Sequence, residues 1–195
     1  MTDLGSLFNK YGSDKDRNGY TPVYHALWNS LRTKPMDLLE IGIGTMIPGV
    51  QSSMVGYALP GYAPGGSLRA WRDYFAMGNI VGCDVQPDTQ FTEERIQTYL
   101  ANSSEKELLD TVLGDRTFDI IIDDGLHWDV CQIKTMENLW DRVKPGGYYV
   151  IEDVTVHSRI PTEFRPKVEA LAGKNYFLTE IKNILVATKP FACDA

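Results

Sequence analysis

The stretch that decides the fold is residues 118–127, Phe-Asp-Ile-Ile-Ile-Asp-Asp-Gly-Leu-His, an apolar run that ends abruptly in two carboxylates, a glycine and a histidine. A continuous run such as Ile120, Ile121 and Ile122 suits a strand buried on both faces of a parallel sheet. Ligands of such sheets bind beyond the carboxyl ends of the strands. Asp123, Asp124 and His127 therefore stand at the edge where chemistry is expected. The pattern recurs at 149–153, where Tyr-Val-Ile runs into Glu152 and Asp153. Two strands then deliver acids to one place.

Working outward, Met36–Ile41 reads as a central strand followed at once by Gly42-Ile43-Gly44, glycines that let the backbone approach a ligand. Gly65-Gly66-Ser67 opens an amphipathic helix carrying Leu68, Trp71 and Phe75, whose N-terminus suits an anionic group. Between them, residues 45–64 form a long Gly-, Pro- and Tyr-containing insertion, expected to be a lid or mobile loop. Ile80–Asp84 is a strand ending in an acid about twenty residues after that helix begins. This is the place of a carboxylate that accepts hydrogen bonds from ribose hydroxyls. Arg95–Leu100 is a third strand, and Ala101-Asn102-Ser103-Ser104 leads into a helix at Glu105–Leu113. The spacing of Val130, Ile133, Met136, Leu139, Trp140 and Val143 predicts a helix stopped by Pro145-Gly146-Gly147. Tyr148–Ile151 is strand five, Glu163–Leu171 a short helix, and Tyr176–Ile181 with Ile184–Thr188 a closing hairpin.

Ahead of all this, residues 1–34 read as a cover: a polar, turn-prone segment, then a helix with Thr21 as N-cap, Pro22 at its first position, and Val23, Leu27 and Leu31 on one face with Trp28 beside them. Alternating strands and helices predict an α/β, Rossmann-like, doubly wound sheet of seven mostly parallel strands, closed by a C-terminal antiparallel strand, in one domain.

The chain has 195 residues and a net charge of −7, with no run of eighteen apolar residues. That balance disfavours a protein built to neutralise phosphate backbones, so no nucleic-acid partner is expected. The N-terminus lacks the layout of a signal peptide, and Cys83, Cys131 and Cys193 show no metal spacing. A cytoplasmic protein with reduced thiols and no membrane contact is the expectation.

In order and spacing, Leu39-Glu40-Ile41-Gly42-Ile43-Gly44, Asp84 and Lys144-Pro145-Gly146-Gly147 resemble the motifs of class I S-adenosylmethionine-dependent methyltransferases. Four segments narrow this: Tyr-Gly-Ser-Asp-Lys and Tyr-Thr-Pro-Val-Tyr within 11–24, Gly-Gly-Ser-Leu-Arg-Ala-Trp at 65–71, Ile-Asp-Asp-Gly-Leu-His at 122–127 and Ile-Glu-Asp at 151–153. They resemble the metal-dependent sugar O-methyltransferases of the mycinamicin and macrocin type and their rhamnosyl relatives. The resemblance implies that S-adenosylmethionine is the donor, held around Glu40, Gly42, Gly44, Ser67, Asp84, Asn102 and Asp123. It also implies that Asp124 and Asp153 ligate Mg²⁺ or Mn²⁺, that Glu40 helps that site, and that His127 is the general base. The acceptor would be a small molecule, a sugar or glycosylated natural product, and the protein a homo-oligomer. Where relatives carry Gly-Asp-Gln-Ser-Asp, this chain has Ala-Asn-Ser-Ser-Glu at 101–105. Asn102 then has its amide oxygen to offer an exocyclic amine.

His157 is a rival base, and His25 a structural histidine. Other readings stay open: a methyltransferase for a catechol-like vicinal diol, or a non-catalytic module that binds S-adenosylmethionine. A nicotinamide-dependent oxidoreductase is disfavoured, because Gly-Ile-Gly lacks the third glycine in register.

Overall fold

The computed structural model describes residues 3–51, 53–154, 165–173, 176–179 and 183–191. The chain runs α1 (Asp3–Lys10), α2 (Thr21–Trp28), β1 (Met36–Ile41), α3 (Gly66–Tyr74), β2 (Gly78–Asp84), β3 (Thr92–Glu93), β4 (Ile96–Leu100) and α4 (Lys106–Leu113). It continues through β5 (Phe118–Asp123), α5 (Asp129–Leu139), β6 (Val143–Ile151), α6 (Arg165–Ala172), β7 (Tyr176–Thr179) and β8 (Ile184–Thr188). The sheet order is β3-β4-β2-β1-β5-β6-β8-β7. Strands β4, β2, β1, β5 and β6 are parallel, and β8 lies antiparallel between β6 and β7. This is the doubly wound sheet expected, with one addition: the two-residue β3 pairs antiparallel with β4 at the far edge.

Strand alternation sorts the core into two layers. Leu39, Ile41, Val81, Ile121, Tyr149 and Ile151 face the apolar sides of α4, α5 and α6. Leu38, Ile80, Ile120, Ile122 and Val150 face α1, α2 and α3. On that second side the Phe8 and Trp71 rings meet edge to face at 4.8 Å, Tyr24 stacks on Trp28 at 4.7 Å, and Tyr24 meets Trp71 at 5.4 Å. Aromatic pairs of this kind contribute about 0.5–1.5 kcal/mol each beyond their area. The N-terminal cover is thereby fastened to the sheet.

Three local expectations are corrected. Thr21 does not cap α2: its hydroxyl donates to Asp16 Oδ1 at 2.7 Å, and the cap position falls to Tyr20. The buried stripe of α2 is Thr21, Tyr24 and Trp28, with Val23, Leu27 and Leu31 only half-buried, because the larger aromatic rings win the contact with α3. The helix after β5 ends at Leu139, short of Pro145, and Pro145-Gly146-Gly147 lies inside β6. Gly146 has φ +78°, and its N–H reaches the Lys189 carbonyl, so the glycine turns a bulge instead of ending a helix.

Candidate active site

Three neighbouring parallel strands, β1, β5 and β6, end together: Ile41 is level with Asp123, and Asp123 with Ile151. Alternation then separates the paired aspartates. Asp123 continues the Ile121 side toward α5, whereas Asp124 emerges on the Ile122 side, shared with Glu40 and Glu152.

Asp123 is buried; its Oδ1 accepts the Gly125 N–H at 3.2 Å, and its Oδ2 has no partner. Burial lifts its pKa to about 7 against that one hydrogen bond. Its observed work is to shape the turn. Gly42 is pressed against this turn: its φ is +87°, and a Cβ there would strike the Asp124 carbonyl, so only glycine fits.

Asp124, His127 and Asp153 converge, each offering a ligand atom within 4.8 Å of the others. His127 Nε2 lies 3.2 Å from Asp124 Oδ1, and its Nδ1 lies 3.7 Å from Asp153 Oδ2. Asp153 sits at φ +51°, a left-handed conformation that costs roughly 1–3 kcal/mol off glycine and clusters at functional sites. Burial works against a charged His127, but the Asp124 hydrogen bond and the charges of Asp124 and Asp153 outweigh it and raise its pKa.

The feature that sequence reasoning missed is Lys15. It is only 2 % exposed, and its Nζ lies 2.6 Å from Asp124 Oδ2, 2.6 Å from Glu152 Oε2 and 3.3 Å from Glu40 Oε1. Burial alone would lower its pKa, yet the charges of Asp124, Glu152 and Glu40 raise it well above the ordinary lysine value. Conversely, burial would push Asp124 up, but the Lys15 charge, with His127, holds it down at about 2. Glu40 and Glu152 stay raised by burial. Two tyrosines from the same segment complete the set: Tyr20 donates to Asp153 and Tyr24 to Glu152. The segments 11–15 and 20–24 stood out in sequence as motifs, with no role given to Lys15, Tyr20 or Tyr24.

A cavity of about 460 Å³ opens over this cluster, lined by Lys15, Gly44, Ser67, Asp124, His127 and Asp153 among others. Its roof joins the N-terminal loop to the 45–64 insertion. Leu59 N–H donates to the Gly12 carbonyl, Arg17 to the Tyr57 carbonyl, and the Tyr62 hydroxyl sits 2.8 Å from the Gly44 carbonyl. A second cavity of about 300 Å³, lined by Asp84, Asn102, Ser103, Cys131 and Thr135, shares Gly42, Gln51 and Gly125 with the first. The expected binding residues thus fall into two groups. Gly42, Gly44, Ser67, Asp84 and Asn102 line the cavities, while Glu40 and Asp123 line neither.

Glu40 instead accepts the Trp71 indole N–H at 2.8 Å. Asp84 receives the amides of Ile43 at 2.7 Å and Gln86 at 2.9 Å, so it also clamps the glycine loop. The Asn102 oxygen accepts the Ser104 N–H at 3.1 Å, which commits one lone pair to its own loop. His25 pairs with the Tyr74 hydroxyl at 3.0 Å, far from the cluster in role, and His157 lies outside the described residues.

The two carboxylates of the outer cluster, Asp124 and Asp153, suit a small divalent cation, because oxygen donors suit Mg²⁺ or Mn²⁺. Three acids surround the Lys15 ammonium and Asp153 adds a fourth carboxyl group beside His127, so the balance of charge also invites a cation.

No family model matches the chain. It is 37 % identical over 155 residues to the 8-demethyl-8-(2-methoxy-alpha-L-rhamnosyl)-tetracenomycin-C 3'-O-methyltransferase of Streptomyces olivaceus, covering 78 % of this chain and 37 % of that protein. It is 34 % identical over 155 residues to the mycinamicin VI 2''-O-methyltransferase of Micromonospora griseorubida, covering 78 % and 36 %. Among solved structures, the MycE methyltransferase of the mycinamycin pathway, in complex with Mg, S-adenosylhomocysteine and mycinamycin VI, superposes with a TM-score of 0.74 at 26 % identity. That alignment covers 100 % of this chain and 55 % of MycE. The chain spans little more than a third of the length of the curated relatives it matches. It has the Rossmann-like fold of class I S-adenosylmethionine-dependent methyltransferases and resembles, among them, the sugar O-methyltransferases of the mycinamicin, macrocin and rhamnosyl-tetracenomycin type.

Proposed function

We propose that this chain carries the catalytic site of an S-adenosylmethionine-dependent, divalent-metal-dependent O-methyltransferase for a hydroxyl of a sugar or glycosylated natural product. The observation that carries this reading is the convergence of Asp124, His127 and Asp153 at the floor of one cavity, directly beside the cavity headed by Asp84. The sugar acceptors named for the relatives support the substrate class.

In this reading Gly42 and Gly125, which border both cavities, would seat the donor. Asp84 would hold its ribose, Asn102 its base, and Gly44 with Ser67 the amino-acid end. Asp124 and Asp153 would hold the cation. When bound, the donor supplies an electrophilic methyl group, and the cation lowers the pKa of the acceptor hydroxyl. His127 takes the hydroxyl proton at Nδ1, which at 3.7 Å from Asp153 lies beyond hydrogen-bond reach, while Nε2 stays paired with Asp124. Asp124 and Asp153 stabilise the imidazolium so formed. The roof made by the N-terminal loop and residues 45–64 excludes water and holds donor and acceptor in line.

The test is methyl transfer to a panel of rhamnosylated and deoxysugar-bearing acceptors. Chelation should abolish turnover and Mg²⁺ restore it. His127→Ala should lower kcat by about 10²–10⁴ with S-adenosylhomocysteine binding retained, the size of a lost general base. Turnover indifferent to EDTA would remove the metal, and a fully active His127→Ala would remove the base.

A further inference from the structure

Lys15 is arranged as a cation in a carboxylate cage. Around its Nζ stand Asp124 Oδ2, Glu152 Oε2 and Glu40 Oε1, at 2.6, 2.6 and 3.3 Å, one oxygen from the end of each of three adjacent strands. The remaining oxygens are each turned away and held by another donor. Glu152 Oε1 takes the Tyr24 hydroxyl, Glu40 Oε2 the Trp71 indole, and Asp124 Oδ1 faces His127. Three acids that would repel one another are thus oriented at a single buried point, and a positive charge is covalently supplied there.

We propose that the Lys15 ammonium is the resident occupant of an inner cation position, which shares Asp124 with the outer Asp124–His127–Asp153 cluster and takes the place a second metal ion would otherwise have. The inner position rests on Lys15's own contacts. The statement that a divalent ion is thereby confined to the outer position, in reach of the acceptor, rests on the function proposed above. Three convergent carboxylate oxygens at 2.6, 2.6 and 3.3 Å are donors a hard divalent cation takes, with a contraction toward about 2.0–2.6 Å and water completing its shell. Lysine at this position opposes that, because a divalent ion would have to part the ammonium from two carboxylate contacts of 2.6 Å.

The consequence is specific. Removing the ammonium should create a metal site, not merely damage one. Mn²⁺ bound to the full chain is counted by electron paramagnetic resonance for the wild type, Lys15→Ala and Lys15→Arg. The alanine variant should bind about one Mn²⁺ more than the wild type, and the arginine variant no more than the wild type. The alanine variant's melting temperature should rise on adding Mn²⁺ by more than that of the wild type. A wild type that binds none beside an alanine variant that binds one would sink the outer metal site and leave the inner position standing. Equal counts in wild type and Lys15→Ala would overturn the proposal. Should Lys15→Ala fail to fold in metal-free buffer, refolding in Mn²⁺ against K⁺ at matched ionic strength decides. Recovery with Mn²⁺ alone supports the resident-cation role, and failure in both overturns it. The double variant Lys15→Met with Glu152→Gln deletes one charge of each sign, so it should gain no Mn²⁺; a gain would show that Glu152 does not build the position.

Discussion

At both ends of the same three strands, β1, β5 and β6, a lysine bridges acids. At the entry edge, Lys144 Nζ lies 2.8 Å from Asp37 and 2.8 Å from Asp119. At the exit edge, Lys15 lies 2.6 Å from Asp124 and 2.6 Å from Glu152. The distances are alike and the surroundings are not. Lys144 keeps 33 % of its side chain in water, whereas Lys15 keeps 2 %. The cavity at the entry edge is even the larger, about 750 Å³ against 460 Å³. Neither cavity size nor ion-pair geometry marks the functional edge. What marks it is burial of charge that has no structural need to be there, beside glycines that admit a ligand.

The largest effect that would break this contrast is on stability. In metal-free buffer, Lys15→Met should cost about 3–5 kcal/mol, because it strands buried carboxylates without a counter-charge. Lys144→Met should cost less than about 1 kcal/mol, since water screens both of its partners. Urea denaturation of the two variants checks this. Equal losses would mean that the two lysines differ in exposure but not in role.

Next in size is donor binding. Asp84 clamps the backbone at Ile43 and Gln86 with charge-assisted hydrogen bonds and lines the smaller cavity. Such bonds are worth about 1.5–3 kcal/mol, so Asp84→Asn should weaken S-adenosylhomocysteine by roughly 10–100-fold in calorimetry. Asp37→Asn, at the entry edge of the neighbouring strand, should leave that affinity within about twofold. A comparable loss from Asp37 would deny the division between edges.

The two edges also differ in how far they could be read from sequence. The exit edge was legible wherever the signal is local: an apolar strand running into an acid places Asp84, Asp124 and Asp153 within one or two residues of a strand end. The division of Asp123 from Asp124 follows from strand alternation, once the strand boundary is fixed. Lys15 carried no such signal. It lies in a polar run, and its burial comes from contacts 109 and 137 residues away, so composition reads it as exposed. Thr21 misled for a related reason, since a good N-cap residue was diverted to Asp16 by the tight loop that delivers Lys15. Local rules find strand ends; they do not find the loop that is folded over them.

The smallest effect concerns two cysteines on the exit side of the sheet. Cys83 ends in the core at 0 % exposure, and burial, with the Asp84 charge, pushes its thiol up to about 12. Cys131 is half-buried on α5 and lines the smaller cavity; burial and the Asp123 charge raise its pKa above the ordinary value. Thiolate fraction and access together set alkylation rates, so iodoacetamide on the folded protein should label Cys131 and spare Cys83, as read by peptide mapping. S-adenosylhomocysteine should slow Cys131 labelling a few-fold by filling the cavity it lines, with no change at Cys83. If instead the donor left Cys131 untouched, the smaller cavity would lose its place as the adenosine end, even with the Asp84 result intact, because Asp84 could still act on the glycine loop from behind.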